Sequence, residues 1–337
     1  MDKIKYVRKR GIFILLSAIL PATVLFSLSV GRYPIAVGDI LQYLLSGKYT
    51  DENVPVLITQ VRMPRIVMAI LAGGALSVSG AAYQGVFRNP IVSPDILGVS
   101  SGAGFGAALA ILFFPGLAGL QISAFVLGLL SVSLSLIISK SMAAYHDRTL
   151  MLVLSGMIVG SLFSALISLM KYIADGESKL PEITFWLMGN LSAASMVEIR
   201  YILPVVIIAL IPILLTSWKL NILSFGDEEA RAMGLNPDRL RFTVICCASL
   251  LTASIVSVTG LIGWVGLIIP HFARFVVGPN HKQLFPASFL IGSSFMLCVD
   301  DIARSAFPLE IPLGIITSVI GAPLFFIIIR MSSKKIW

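Results

Sequence analysis

Ten apolar blocks, most of them near twenty residues long, constrain this 337-residue chain more than any other feature. An α-helix needs about 20 residues to cross about 30 Å of hydrocarbon. With no water in that layer to satisfy peptide groups, blocks of this kind can only be helices. They fall near 11 to 31, 64 to 86, 95 to 114, 119 to 140, 149 to 172, 192 to 217, 240 to 260, 262 to 277, 284 to 305 and 312 to 331. The eighth is short and carries Pro270, and only Pro115-Gly116 divides the third from the fourth. Hydrophobic residues make up 57% of the chain and charged residues 12%, half the charged share of about 25% in soluble domains, so apolar side chains must face lipid as well as each other. The expectation is an all-α, polytopic integral membrane protein of about ten transmembrane helices, forming one domain over 1–337.

The net charge of +8 does not point to nucleic acid, because the basic residues sit scattered at span ends and assemble no aromatic-basic surface. With the N-terminus inside, 17 of the 25 Lys and Arg fall on the inner side. That bias places both termini in the cytoplasm, since translocated loops disfavour positive charge. Lys3, Lys5, Arg8, Lys9 and Arg10 before the first block mimic a signal peptide, but the apolar run is too long and has no small-x-small cleavage site, so it reads as a retained first helix. Cys246, Cys247 and Cys298 lie inside apolar blocks without metal-ligand spacing and read as small buried hydrophobes.

A weak repeat is visible. Ser77-Val-Ser-Gly80 in span two recurs as Ser257-Val-Thr-Gly260 in span seven, and Gly160 in span five has a counterpart in Gly321 in span ten. Five spans separate the copies, an odd number, so spans 2–5 and 7–10 would be inverted with respect to one another, an arrangement found in transporters with a pathway at the repeat interface. Gly73, Gly74, Gly80, Gly98, Gly102, Gly104 and Gly106 read as close helix packing. Gly102-Ala-Gly-Phe-Gly106 has no strand before it and is not a nucleotide loop.

Ionisable residues are scarce within the spans, and neither a proton relay nor a phosphate-binding Lys-Ser/Thr loop is present. A pathway without an energy source implies an external motor. The one sizeable cytoplasmic loop joins spans six and seven over 221–237. Asp227, Glu228 and Glu229 favour a helix N-terminus, Gly234 a left-handed stop, and Asn236-Pro237 the N-cap and first residue of span seven. A rigid transmitter and a plain connector are both consistent with these residues.

Five motifs in order carry a resemblance: Arg62-Met-Pro-Arg65; Gly85-Val-Phe-Arg-Asn-Pro90 with Pro94-Asp-Ile-Leu-Gly98; the Gly226 to Gly234 loop; Gly266-Leu-Ile-Ile-Pro-His271; and Glu310-Ile-Pro-Leu-Gly314 with Gly321-Ala-Pro323. Almost end to end, the chain resembles the FecCD-type permeases of binding-protein-dependent ABC importers, whose cargoes are iron siderophores, haem and vitamin B12, with molybdate and tungstate in some members. The resemblance implies a homodimer in a bacterial inner membrane, two cytoplasmic ATPases that hold ATP and Mg, and a periplasmic binding protein. It implies no cofactor, metal or enzymatic activity in this chain.

It also assigns residues. Asp227, Glu228, Glu229, Arg231, Met233 and Gly234 match the coupling helix that meets the ATPase. Arg62, Arg65 and Arg304 match outer-face arginines that receive the binding protein's carboxylates, in keeping with guanidinium chemistry. Tyr145, His146, Asp147, Arg148 and Thr149 fall at the inner gate, and Ser155, Gly160 and Gly321 on the pathway of spans five and ten. His271 reads as packing and not a metal ligand. Asp300 and Asp301 read as a salt-bridged cluster positioning Arg304, and Met142, Met151, Met157, Met170 and Met188 as core fillers. A metal chelate is the expected cargo, an oxyanion the alternative. A secondary carrier and a passive channel are the rival classes, and neither has a use for the 221–237 loop.

Overall fold

The computed structural model describes the backbone of residues 2–47, 49, 51–114, 116–142 and 148–332. Among them the ordered elements are all helical: α1 (Asp2–Ser29), α2 (Val37–Ser46), α3 (Asn53–Val56), α4 (Met63–Phe87), α5 (Val99–Phe113), α6 (Leu117–Met142), α7 (Arg148–Ile173), α8 (Lys179–Leu187), α9 (Met196–Leu223), α10 (Asp227–Ala232), α11 (Pro237–Thr259), α12 (Val265–Val277), α13 (His281–Ser305) and α14 (Leu313–Ser332). Seven helices are long and apolar enough to cross a membrane, and α5, α12 and Leu313–Ile328 of α14 are shorter apolar helices. The ten elements correspond one to one with the ten apolar blocks.

At the centre stands α4, buried on every side from Pro64 to Phe87 apart from Val67 and Ile70, which are half-buried. It packs against α9, α11, α12 and α13. Its small residues allow this. A Cβ on Gly80 would lie 1.7 Å from the Gly266 carbonyl oxygen, and one on Gly73 2.1 Å from that of Gly292, so backbone meets backbone at both crossings. The Ser79 hydroxyl donates to the Ala248 carbonyl at 2.8 Å and pairs with Thr252, while Tyr83 pairs with Ser249 at 2.6 Å. These bonds tie α4 to α11, its counterpart in the repeat, deep in a layer that offers no water as an alternative partner.

The repeat is real, but helix lengths carry it better than the tetrapeptide does. Gly80 lies within α4, seven residues before its end at Phe87, whereas Gly260 caps α11. The equivalence lies beyond the end of each long helix, where a break in the α-helix, which before α5 includes a short 3-10 turn at Pro94–Leu97, leads into a helix too short to span. At 1.5 Å per residue, α5 and α12, with 15 and 13 residues, reach only about 22 and 20 Å. Gly98, just before α5, packs on Gly160 of α7, and Trp264, just before α12, packs on Gly321 of α14. The Gly160–Gly321 correspondence thus holds in space. Gly160 lies twelve residues into the 26-residue α7, so the break before α5 lies beside the middle of that helix. Trp264, at the start of α12, adopts φ +71°, a conformation a bulky residue holds only under surrounding constraint.

Candidate functional site

Three sites emerge, one at each end of the bundle and one between them. At the end of the bundle where the sequence places the cytoplasm, α9 runs through Ser224 and Phe225 into α10. Gly234, at φ +78°, ends the short helix, with its amide donating to Arg231 O and that of Leu235 to Ala230 O, and the Asn236 side chain then caps α11 through the Arg239 amide at 3.0 Å. Glu228, Glu229, Arg231, Met233 and Gly234 are exposed, and Ala230 is buried. Asp227 points the other way. Both guanidinium Nη atoms of Arg241 donate to its carboxylate at 2.6 Å, and Arg88 Nη2 lies 3.5 Å away. These paired Arg241 bonds, with Arg88 and Arg231 beside them, hold the Asp227 carboxyl below the usual range. Asp227 is therefore a clamp inside the chain, and not one of the residues α10 presents outward. Alongside it, Asn221 joins α9 to α13 through Asn280 and His281.

Sequence reasoning missed Arg88 and Arg241. A signal existed: Arg241 sits one turn inside an apolar span, where a cation requires a carboxylate, and the triplet of acids just upstream supplies one. Arg274 of α12, which donates to Gln84 of α4, was equally unforeseen.

At the opposite end, the three expected docking arginines come together, but inside the protein. Arg62, Arg65 and Arg304 are 4, 9 and 7% exposed. Arg65 donates from Nε to both oxygens of Asp300 at 2.9 Å and from Nη1 to Glu310 at 3.0 Å. Arg304 pairs with Asp301 at 2.5 Å, and Ser27 donates to the same carboxylate at 2.7 Å. Arg62 donates to the carbonyls of Leu28 and Tyr33. Desolvating arginine in a membrane bundle requires carboxylates and carbonyls of its own, and this chain supplies them to all three. Asp300 and Asp301 do form the salt-bridged cluster around Arg304.

Between these ends, an open cavity of about 480 Å³ is lined by Asp95, Ile96, Gly98 and Ser101 from the break and start of α5 and by Gly156, Met157, Gly160, Ser161 and Ser164 of α7. Gly160, expected on the pathway, lines this cavity. Ser155 does not: it is fully buried, its hydroxyl donating to Leu152 O at 2.9 Å, and its neighbour Gly156 faces the cavity. Gly321 packs on Trp264 and lies away from this cavity. Asp95, bonded to the Ser100 hydroxyl, puts a carboxylate on the cavity wall. Tyr145, His146 and Asp147 lie outside the described residues, as does the side chain of Arg148. Thr149 is the second residue of α7.

The remaining candidates resolve into packing. His271 meets Phe325 edge-on, with ring centroids 6.1 Å apart. Among the described residues no three His, Cys, Asp or Glu side chains gather in a metal-binding group. Met151 and Met170 are core residues, but Met142 and Met157 are exposed, Met157 on the cavity. Cys246 and Cys247 are half-buried and Cys298 is exposed, so none is the fully buried hydrophobe expected.

The model of the FecCD transport family matches residues 19–331. The molybdate import permease MolB of Haemophilus influenzae is 43% identical over 318 residues, covering 93% of this chain and 94% of its own. The Fe(3+)-citrate import permease YfmE of Bacillus subtilis is 36% identical, with 96% and 95% covered, and the cobalamin import permease BtuC of Halobacterium salinarum 38%, with 83% and 74% covered. A solved structure of a metal-chelate type ABC transporter in an inward-facing conformation superposes with a TM-score of 0.85 at 40% identity, covering 98% of this chain and all of the other.

Proposed function

The chain belongs to the FecCD transport family of ABC importer permeases, and from that premise we propose that it works as a homodimer in the inner membrane, both termini in the cytoplasm. Two cytoplasmic ATPases bind ATP and Mg and hydrolyse the nucleotide, and a soluble binding protein delivers the cargo on the other side. The chain itself binds no cofactor. Glu228, Glu229, Arg231, Met233 and Gly234 form the face that meets the ATPase, while Asp227 holds α10 to α4 and α11 so that a push on the helix moves the bundle. The segment Tyr145 to Thr149 closes the inner mouth, and α7 lines the path. What supports this reading is an exposed six-residue helix clamped by a bidentate ion pair, a geometry suited to transmitting force.

The cargo is a metal chelate. The observation that carries it is the cavity wall, which offers one carboxylate, three serine hydroxyls and, among the described residues, no cation. Such a wall holds a bulky neutral or weakly charged complex loosely and has nothing with which to grip a small dianion. A molybdate or tungstate reading stands second, favoured by the 43% identity to the molybdate permease. Titrating the partner binding protein with a ferric siderophore, haem, cobalamin, molybdate and tungstate decides between them. Tight binding of a chelate is the expected result, and tight binding of an oxyanion alone replaces the first reading with the second. Copurification of an ATPase subunit, with uptake that stops when ATP is withheld, tests the class itself.

A further inference from the structure

Asp300, Asp301 and Glu310 at one end of the bundle and Asp227 at the other are each held by an arginine. Asp95, between them, pairs with no cation among the described residues. Its Oδ1 accepts from the Ser100 hydroxyl, while Oδ2 has no partner among those residues and the side chain is exposed on the cavity wall.

The backbone beneath this carboxylate is fixed from two sides. Gly98 turns the chain at φ +81° and donates its amide to Asp95 O at 2.8 Å. Serines of α6 take up carbonyls that the turn exposes, Ser131 donating to Gly98 O at 2.8 Å and Ser135 to Leu97 O at 3.0 Å. From α7, Gly156 admits the Ile96 carbonyl so closely that a Cβ there would lie 2.0 Å from its oxygen. A short side chain on so constrained a turn keeps its charge on the cavity.

The surrounding helices do not offset that charge. α5 carries no ionisable residue, and Lys140 of α6 and Arg148 and Lys171 of α7 all lie within a turn of a helix end. Along the helices, Lys140 is nine positions from Ser131, about 14 Å, and Arg148 and Lys171 are twelve and eleven from Gly160, about 18 and 16 Å. Arg274 of α12 is eight positions, about 12 Å, from Gly266, on which Pro94 packs. Each separation exceeds the screening length of about 10 Å at 0.1 M salt. Arg88, at the far end of the break, is turned to Asp227. An acid left unpaired in a membrane bundle is costly and marks a function. One sign of charge between low-dielectric walls concentrates its field in the space they enclose, the means by which acidic side chains make membrane pores select cations.

We propose that Asp95 sets the charge selectivity of this cavity. It favours neutral or cationic complexes that present N–H or O–H donors, such as a ferric trishydroxamate, and repels anionic ones, such as the trianionic ferric triscatecholates. The hydroxyls of Ser101, Ser161 and Ser164 serve either sign, so the choice falls to Asp95. The inference rests on the chelate reading above and narrows it.

The test uses the complete transporter in lipid nanodiscs, with Cys246→Ser, Cys247→Ser and Cys298→Ser to remove the native thiols and Ser161→Cys to place one on the cavity wall. Its rates of modification by a positively and a negatively charged methanethiosulfonate are compared, each divided by the rate for a small free thiol in the same buffer. The cationic reagent is preferred about 10-fold, the preference shrinks between about 50 and about 500 mM salt, and Asp95→Asn removes it. Asp95→Glu retains it, which separates loss of charge from a disturbed wall. No preference in the parent, a preference that Asp95→Asn leaves unchanged, or a thiol that neither reagent reaches overturns the proposal. ATP-driven uptake with the cognate binding protein tests the reading beneath. A transporter that carries no chelate removes that reading and this narrowing with it, whereas one that carries a chelate while Asp95→Asn labels like its parent removes only the role of Asp95. Uptake of a triscatecholate in preference to a neutral chelate overturns that role as well.

Discussion

The two ends of the bundle use the same chemistry, arginine against carboxylate, in opposite ways. At the outer end Arg65 and Arg304 meet Asp300, Asp301 and Glu310 with side-chain exposures of 11% or less for all but Glu310. At the inner end Asp227, its side chain 29% exposed, is shared between a buried Arg241 and an Arg88 that is 39% exposed. A buried network cannot open without stranding charge in a low-dielectric interior, whereas a half-solvated clamp can, because water takes over the hydrogen bonds it gives up. The Arg65–Arg304 end is therefore built to stay fixed, while the clamp on α10 is free to break and remake contacts.

That contrast is best attacked through stability, beginning with the largest expected loss. Asp300→Ala leaves Arg65 without the carboxylate that takes both of its Nε contacts, at a cost of about 3–5 kcal/mol. Thermal unfolding in detergent should show it, and a near-neutral result would mean water reaches the outer cluster after all. Arg62→Glu and Arg304→Glu belong with it: both should lower the yield of folded protein, in place of the salt-dependent docking defect an exposed arginine would give.

Asp227→Asn should cost about 1 kcal/mol, since its bonds are charge-assisted but partly solvated. The depressed carboxyl also sets the pH dependence. A group whose folded pKa lies below its unfolded value of about 3.9 stabilises the fold above that value and loses the contribution as pH falls through the folded one. The stability difference between wild type and Asp227→Asn should hold from neutral pH down to about 5 and close only below about 4. A difference that closes near neutrality would mean the clamp is absent in the assembled protein. Uptake should fall more than stability does, because the clamp is the route from α10 to α4 and α11.

The smallest stability change belongs to Glu228→Lys/Glu229→Lys, within about 0.5 kcal/mol for exposed positions. The same variant should abolish ATP-driven uptake while leaving the dimer and binding-protein affinity intact. Uptake at the wild-type rate would remove α10 from the coupling path and with it the functional half of the comparison.

Local chemistry was legible in the chain wherever a short segment decides the outcome. The ten spans, the start of α10 at three acids, its stop at Gly234 and the cap of α11 at Asn236-Pro237 each depend on residues within a turn or two of one another. Arg65 and Asp300 are 235 positions apart, Arg65 and Glu310 245, so no window joins them, and a cation at a span end reads identically whether it faces water or a carboxylate. Asp95 lies beyond the end of α4, and nothing nearby in the sequence reports that it faces a cavity shared with α7.

Hydropathy and backbone chemistry, then, determined that this chain is a helical membrane bundle with a short helix between its sixth and seventh spans, because peptide groups in hydrocarbon have only one way to be satisfied along a single chain. Which arginines are spent inside and which residues remain to meet partners was decided by the tertiary structure alone. Exposure and ion pairing are properties of surfaces brought together from distant positions, and the same guanidinium is a frame or a contact according to what the fold sets beside it.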